Sequence, residues 1–158
     1  MVKNYFSQIF LNDTATGLLY YSQGNVGQTH NVGLTSTISL SPFKWWSFTF
    51  QAIYNHKELK GFKEDANFKS NINQLNFNMN HQFSFAKIYN GELSGFYTTR
   101  ARNDLQELLY PTGQLSVGAS RPVLKKKGTL KISFRDIFFT NAMEGLTDFP
   151  KASEYFIV

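Results

Sequence analysis

The chain has 158 residues, enough for one domain, and no cysteine, which excludes disulfides, thiolate zinc sites and a cysteine nucleophile. Aromatic residues make up 16% of it, with 16 Phe and 8 Tyr, and charged residues only 17%; Asn, Gln, Ser and Thr fill the difference, a composition that favours strands over disorder. The net charge of +5 is scattered apart from Lys125-Lys126-Lys127, and without a basic helix or recognition motif no nucleic-acid partner is expected.

No apolar run approaches the roughly 18 residues of a membrane helix. The opening MVKNYFSQIF does not read as a signal peptide, because its apolar residues are interrupted and no small-residue cleavage site follows. For an exported protein, that points to a piece of something larger.

Helical periodicity is nearly absent and alternation dominates. A first strand is expected over 3–11. Residues 18–40 read as one long strand bent near Gly24 and Gly27, since glycine inside a strand pattern marks a bulge. Two Asn-Val-Gly tripeptides, 25–27 and 31–33, lie within it. Residues 45–56 set Trp46, Phe48, Phe50, Ala52 and Tyr54 against Ser47, Thr49, Gln51 and Asn55. The clearest alternation is QLNFNMNHQFSF, 74–85, with Leu75, Phe77, Met79, His81, Phe83 and Phe85 on one face and amides and Ser84 on the other. Residues 91–101, 113–121 and 128–139 follow suit, and SEYFIV, 153–158, begins a last strand.

The connections SPFK (41–44), KIYN (87–90) and PVLKKK (122–127) are short, whereas 57–69, 102–112 and 140–152 are longer, and 57–69 concentrates charge. Alternating short and long connections imply antiparallel neighbours with two unequal ends, as in outer-membrane barrels. The expected class is all-β: an antiparallel meander of about eight long strands, part of a transmembrane β-barrel. It forms a single continuous sheet, and residues 1–158 form a single barrel segment without a linker.

Alternation alone does not fix which face is wet. A β-sandwich turns its apolar face to a dry core, and a membrane barrel turns it to lipid. Three signals favour the barrel. Several strands exceed the roughly nine to eleven residues a tilted membrane strand needs. The polar face carries amides such as Asn76, Asn78, Asn80 and Gln82 more than charges. Aromatic residues, Trp45, Trp46, Phe85 and Tyr89, flank the short turns, where membrane-interface aromatics collect.

The stretch from Asn25-Val26-Gly27 through Gly33-Leu34 to the proline turn and Trp45-Trp46 resembles the C-terminal barrel of TonB-dependent outer-membrane receptors, in particular their relatives in the outer-membrane β-barrel protein family. GELSGFYTTR (91–100) is similar to that family's strand after a short turn. LKKKGTLKISFRDIFFTN (124–141) resembles its late turn and strand, with Asp136-Ile137-Phe138 in the expected place. The resemblance spans 3–141. It implies a barrel in the outer membrane of a Gram-negative cell that binds and takes up an unidentified nutrient without a cofactor. The implied partners are outer-membrane lipid, the rest of the barrel and its plug domain, and a TonB complex engaged through an N-terminal region. The plug is missing, and SEYFIV lacks the terminal strand ending in an aromatic residue. Both departures imply a fragment near the C-terminal end of a larger barrel. The alternative is a small stand-alone β-barrel or β-sandwich that binds a ligand or partner.

The candidate positions are therefore the family-motif residues Asn25, Val26, Gly27, Gly33 and Asp136, and the membrane-interface aromatics Trp45, Trp46 and Tyr89. Sandwich core is the competing reading of the tryptophans. His30, His56 and His81 share no ligand spacing, and no metal site is expected. Ser, His and Asp all occur, but without a nucleophile elbow no enzyme is expected. Arg135, with Lys131, should point to the lumen, into an ion-pair network there or toward a plug or substrate. Asp136 would face outward, which is costly at mid-membrane and places it near an interface or at a bulge. Lys125–Lys127 reads as a solvated turn, with anionic-lipid binding as the competing reading.

Overall fold

The computed structural model describes residues 2–3, 6–12, 15–16, 19–25, 27–63, 66–86, 88–103, 107–149 and 152–157. Its strands are β1 (Val2–Lys3), β2 (Phe6–Asn12), β3 (Leu19–Asn25), β4 (Gln28–Phe43), β5 (Trp46–Lys63), β6 (Ala66–Phe85), β7 (Tyr89–Thr98), β8 (Ala101–Asn103), β9 (Glu107–Leu109), β10 (Thr112–Val123), β11 (Gly128–Phe134), β12 (Glu144–Phe149) and β13 (Ala152–Ile157). One turn of 3-10 helix covers Leu124–Lys126.

The hydrogen-bonded sheets run β1-β4-β5-β6-β7-β10-β11, β13-β12-β9-β8 and β2-β3, and the ladders are antiparallel. They follow one meander. β1 with β2, β3 with β4, β7 with β8, β9 with β10 and β11 with β12 are successive parts of single passes of the chain, and each pass pairs with its neighbours in sequence. The all-β antiparallel meander expected from alternation is thus the observed fold.

The single continuous sheet is not observed. The second pass breaks at Gly27, whose φ of 99° lies in a region open mainly to glycine. Later passes break at Thr99–Arg100, at Tyr110–Pro111 and over 135–143. No ladder joins β4 to β11, so the described sheet is open at both edges.

The three long connections also differ from expectation, being mostly strand. β5 and β6 stay paired as far as Lys63 and Ala66, β8 and β9 as far as Asn103 and Glu107, and β12 and β13 as far as Phe149 and Ala152. The short turns move as well. β4 continues through SPFK to Phe43, leaving Lys44-Trp45 as a two-residue turn, and Ser41-Pro42 bulge opposite Ser47 between the Leu40–Phe48 and Phe43–Trp46 pairs. A bulge tolerates proline, which has no N–H for the ladder. It also adds the right-handed twist that a two-residue hairpin usually obtains from left-handed residues, absent at Lys44 and Trp45. Tyr89 and Asn90 belong to β7, and Pro122 and Val123 to β10.

The main sheet is one layer thick. Leu34, 69% exposed, Phe134, 62% exposed, and their same-face neighbours Ile38, Leu40, Phe50, Leu75, Tyr97, Leu130 and Ile132 are exposed, with no second sheet over them among the described residues. Among the described residues the buried hydrophobic side chains are Ile72 and Ala101. A sandwich would lay a second sheet over this face.

Gly95 lets three strands close on one another. A Cβ there would lie 2.7 Å from the Gln114 carbonyl oxygen, 3.0 Å from Leu115 Cδ1 and 3.3 Å from Met79 Cε. At Gly33 the nearest atom, 2.8 Å away, is the mobile end of the Asn55 side chain. Gly95→Val should therefore lower stability by about 1–3 kcal/mol, and Gly33→Ala should change it by less than about 0.5 kcal/mol, in urea unfolding from phospholipid vesicles. Equal losses at both positions would contradict the tight approach at Gly95.

Candidate functional site

The functional surface is the main sheet itself. Its two faces differ because strand residues alternate and each face meets one solvent. On the apolar face, the rows Ile38–Phe50–Met79–Gly95–Leu115 and Leu40–Phe48–His81–Leu93–Val117 run across five strands. Along β6, Leu75 and Phe85 are about 34 Å apart at about 3.4 Å per residue, or about 25 Å in height at the tilt of barrel strands. That is the height of the apolar band of an outer-membrane barrel.

Stacked rings close the band at the turn end. Trp45 lies against Phe43 at 5.4 Å and against Phe85 at 5.6 Å, and Trp46 against Phe48 at 5.3 Å. His81 stacks on Phe48 at 5.4 Å, and its Nδ1 accepts the Trp46 indole N–H at 3.2 Å. Tyr89 pairs with Phe85 across the next hairpin and carries the Arg121 guanidinium 5.0 Å over its ring. At the other end the same face turns polar. The Tyr54 hydroxyl donates to Asn73 Oδ1 at 2.9 Å, and His56 Nδ1 lies 2.7 Å from that oxygen. Glu58 and Lys60 continue the face beyond them.

The opposite face is a lattice of amides and hydroxyls. Gln51 donates to Thr37 and accepts from Asn78, both at 3.4 Å, and Ser39 and Thr49 lie 3.1 Å apart. Asn80 donates to Glu92 at 3.3 Å, and Lys131 lies 3.9 Å from the other Glu92 oxygen. A polar cleft runs between Gln82, Ser84, Asn90, Glu92, Ser120 and Lys131. These groups satisfy one another while leaving spare donors and acceptors, as a hydrated lumen requires.

The strand expected to reach 139 ends at Phe134. Asp136 and Phe139 take left-handed conformations, with φ of 52° and 55°, and throw the chain into an irregular loop. Asp136 is therefore not an outward-facing strand residue. Its half-buried carboxylate accepts the Thr140 N–H at 3.0 Å and the Asn141 N–H at 3.1 Å. The loop stays attached to β10: the Ile137 N–H donates to the Leu115 carbonyl at 2.9 Å, the Thr140 hydroxyl to the Gly113 carbonyl at 2.8 Å, and the Asn141 amide to Gln114 at 2.9 Å. Phe138 lines an apolar groove with Phe50, Phe77, Tyr97 and Leu115. The ladder is restored at β12, where Tyr155 of β13 donates to Glu144 at 2.9 Å, a bond that raises the tyrosine pKa above its ordinary value.

Of the motif positions, Asn25 ends β3 opposite Phe6 and Val26 lies outside the described residues. Gly27 forms the break before β4, and Gly33 sits within β4 opposite Asn55. The structure gathers Trp45, Trp46 and Tyr89 at one rim, but it does not bring the motif positions to a common point. The histidines stay separate, and among the described residues no group of three or more His, Asp or Glu side chains could hold a metal. Sequence reasoning missed Phe43 and Phe83 as members of the aromatic rim; the Phe-Ser-Phe alternation of 83–85 opposite Trp46 was the available signal.

Asp136→Ala should cost about 1–2 kcal/mol by removing the acceptor of two backbone N–H groups. Asp136→Asn should cost less, because asparagine keeps one side-chain oxygen and tolerates a positive φ. Urea titration of the vesicle-folded variants tests this ranking, and an alanine variant as stable as the parent would refute the bracing role.

Residues 2–156 match the outer membrane protein beta-barrel family. No curated protein and no solved structure matches the chain. A match over nearly the whole length agrees with an uncovered apolar band of bilayer height, an aromatic rim and an amide-rich reverse face, and the chain belongs to the outer membrane protein beta-barrel family, whose place is the outer membrane.

Proposed function

We propose that the chain is a wall segment of a TonB-dependent-receptor-like barrel in a Gram-negative outer membrane, and that it takes part in binding a nutrient and bringing it across. The observation behind this reading is a bilayer-high sheet whose apolar face is uncovered and whose membrane-level edges, β4 and β11, are both open. Unpaired edges in lipid are costly, and on this reading further strands complete them. On this reading those strands, a plug domain inside the lumen and a TonB complex below it are the partners. The Glu92–Lys131 cleft and the surrounding amides supply lumen contacts for plug or ligand. The role calls for positioning and hydrogen bonding, with no catalytic step and no cofactor.

A second reading has one observation in its favour: the meander supplies enough passes for a small barrel, which needs about eight strands. It would then be a small stand-alone binder.

The two readings part on the product of the full gene. Fractionated cells should show it in the outer membrane, with heat-modifiable migration, and it should be retained by an immobilised periplasmic domain of TonB. A soluble protein would sink the first reading. An outer-membrane protein that ignores TonB would leave the small barrel.

A further inference from the structure

The meander puts three hairpin turns on one edge of the main sheet: Lys44-Trp45, 86–88 and Leu124–Lys127. The first and third carry lysine, at Lys44, Lys125 and Lys127. Adjacent hairpins stand about 10 Å apart, two strand spacings of about 4.8 Å, so these lysines mark out a row along this rim. Arg121 joins it, held over the Tyr89 ring at 5.0 Å. Lys44, Lys125 and Lys127 are exposed.

Among the described residues, acidic groups lie mostly at the far end of the strands and on the second sheet, as with Glu58 and Glu144, where Glu58 also has Lys60 beside it at 3.5 Å. The acidic group nearest the turns, Glu92, faces the amide side and is occupied by Asn80 and Lys131. The basic row therefore has little acidic compensation at its own level.

Its depth is set by the neighbouring rings. Phe43, Trp45, Trp46, Phe85 and Tyr89 end the apolar band, and amphipathic rings settle at the headgroup level. The lysines lie immediately past them. The third turn adds an anchor: Leu124 and Lys125 both take left-handed backbone conformations, with φ of 51° and 53°, and Leu124 is 75% exposed. Such conformations are strained for L-residues, and here they place an apolar and a cationic side chain side by side at the turn tip.

We propose that this rim binds the anionic phospholipid headgroups of the leaflet on the turn side, the lysine row and Arg121 engaging phosphate while the stacked rings and Leu124 sit among the upper acyl carbons. The proposal rests on the membrane-wall reading and adds to it a preference for lipid charge at one end of the sheet. Cations near a membrane surface each strengthen attachment to anionic lipid by about fivefold at moderate ionic strength.

The test is flotation of the product of the full gene with vesicles of phosphatidylcholine alone and of phosphatidylcholine mixed with phosphatidylglycerol, at low and high salt. The chain should associate with both and prefer the anionic vesicles, with salt erasing the preference. The K44Q/K125Q/K127Q variant should lose about a hundredfold of that preference and keep its attachment to phosphatidylcholine. K44R/K125R/K127R should retain the preference, and so should K3Q/K57Q/K60Q, which removes as many charges from the opposite end. Circular dichroism in phosphatidylcholine verifies that each variant keeps its strands. Equal partition of the parent chain into both vesicle types, or equal losses from the two glutamine variants, would overturn the proposal and leave the wall reading standing. Failure to associate with either vesicle would overturn both.

Discussion

In hydrocarbon a backbone N–H or C=O group without a partner costs several kcal/mol, and no water is available to satisfy it. This constraint accounts for the arrangement of the main sheet. Across the apolar band β5, β6 and β7 are laddered on both sides, and β10 is laddered to β7 and to β11 with the loop after it. Even where β11 fails as a strand, Ile137 and Thr140 keep contact with the β10 carbonyls, and the Asp136 carboxylate takes the N–H groups that the loop frees. The irregular segment is thereby braced by its own side chain.

The two faces of the sheet have different energetics. Lipid covers the apolar face, so side-chain burial there is completed by the solvent and the protein needs no second layer. The reverse face meets water in a confined space, where rows of like charge would repel. Gln51 bonds to both Asn78 and Thr37, and the ion pair described on this face, Lys131 with Glu92, is long and half exposed. Polarity without charge density is the common property of that face, which explains how the chain can be rich in amides and still poor in ions.

Alternation made 74–85 legible because successive residues there answer to lipid and to water in turn. It failed at 57–69. Beyond Tyr54 the residues KELKGFKEDANFK no longer alternate, although the ladder continues from Lys57–Ile72 to Lys63–Ala66. Pro42 marked an interruption correctly, but a bulge absorbed it and the turn moved to Lys44-Trp45. Ile137-Phe138-Phe139 looked like strand, and no glycine announced the left-handed residues at Asp136 and Phe139. Trp45 and Trp46 could be picked out singly. Their partners His81, Phe83 and Phe85 depend on the register between β5 and β6, which one sequence does not reveal.

The uninterrupted run of β5 and β6 has a mechanical consequence. From the Trp46–Phe83 pair to the Lys63–Ala66 pair the two strands form a single ladder without a joint. The passes on either side are jointed, at Gly27 on one flank and at Thr99–Arg100, Tyr110–Pro111 and 135–143 on the other. A sideways push on the outer hairpin would therefore travel as a lever stroke down to the stacked tryptophans at the opposite rim. The same push on a flanking pass would be taken up at its joint, leaving a stiff spine between two hinged leaves.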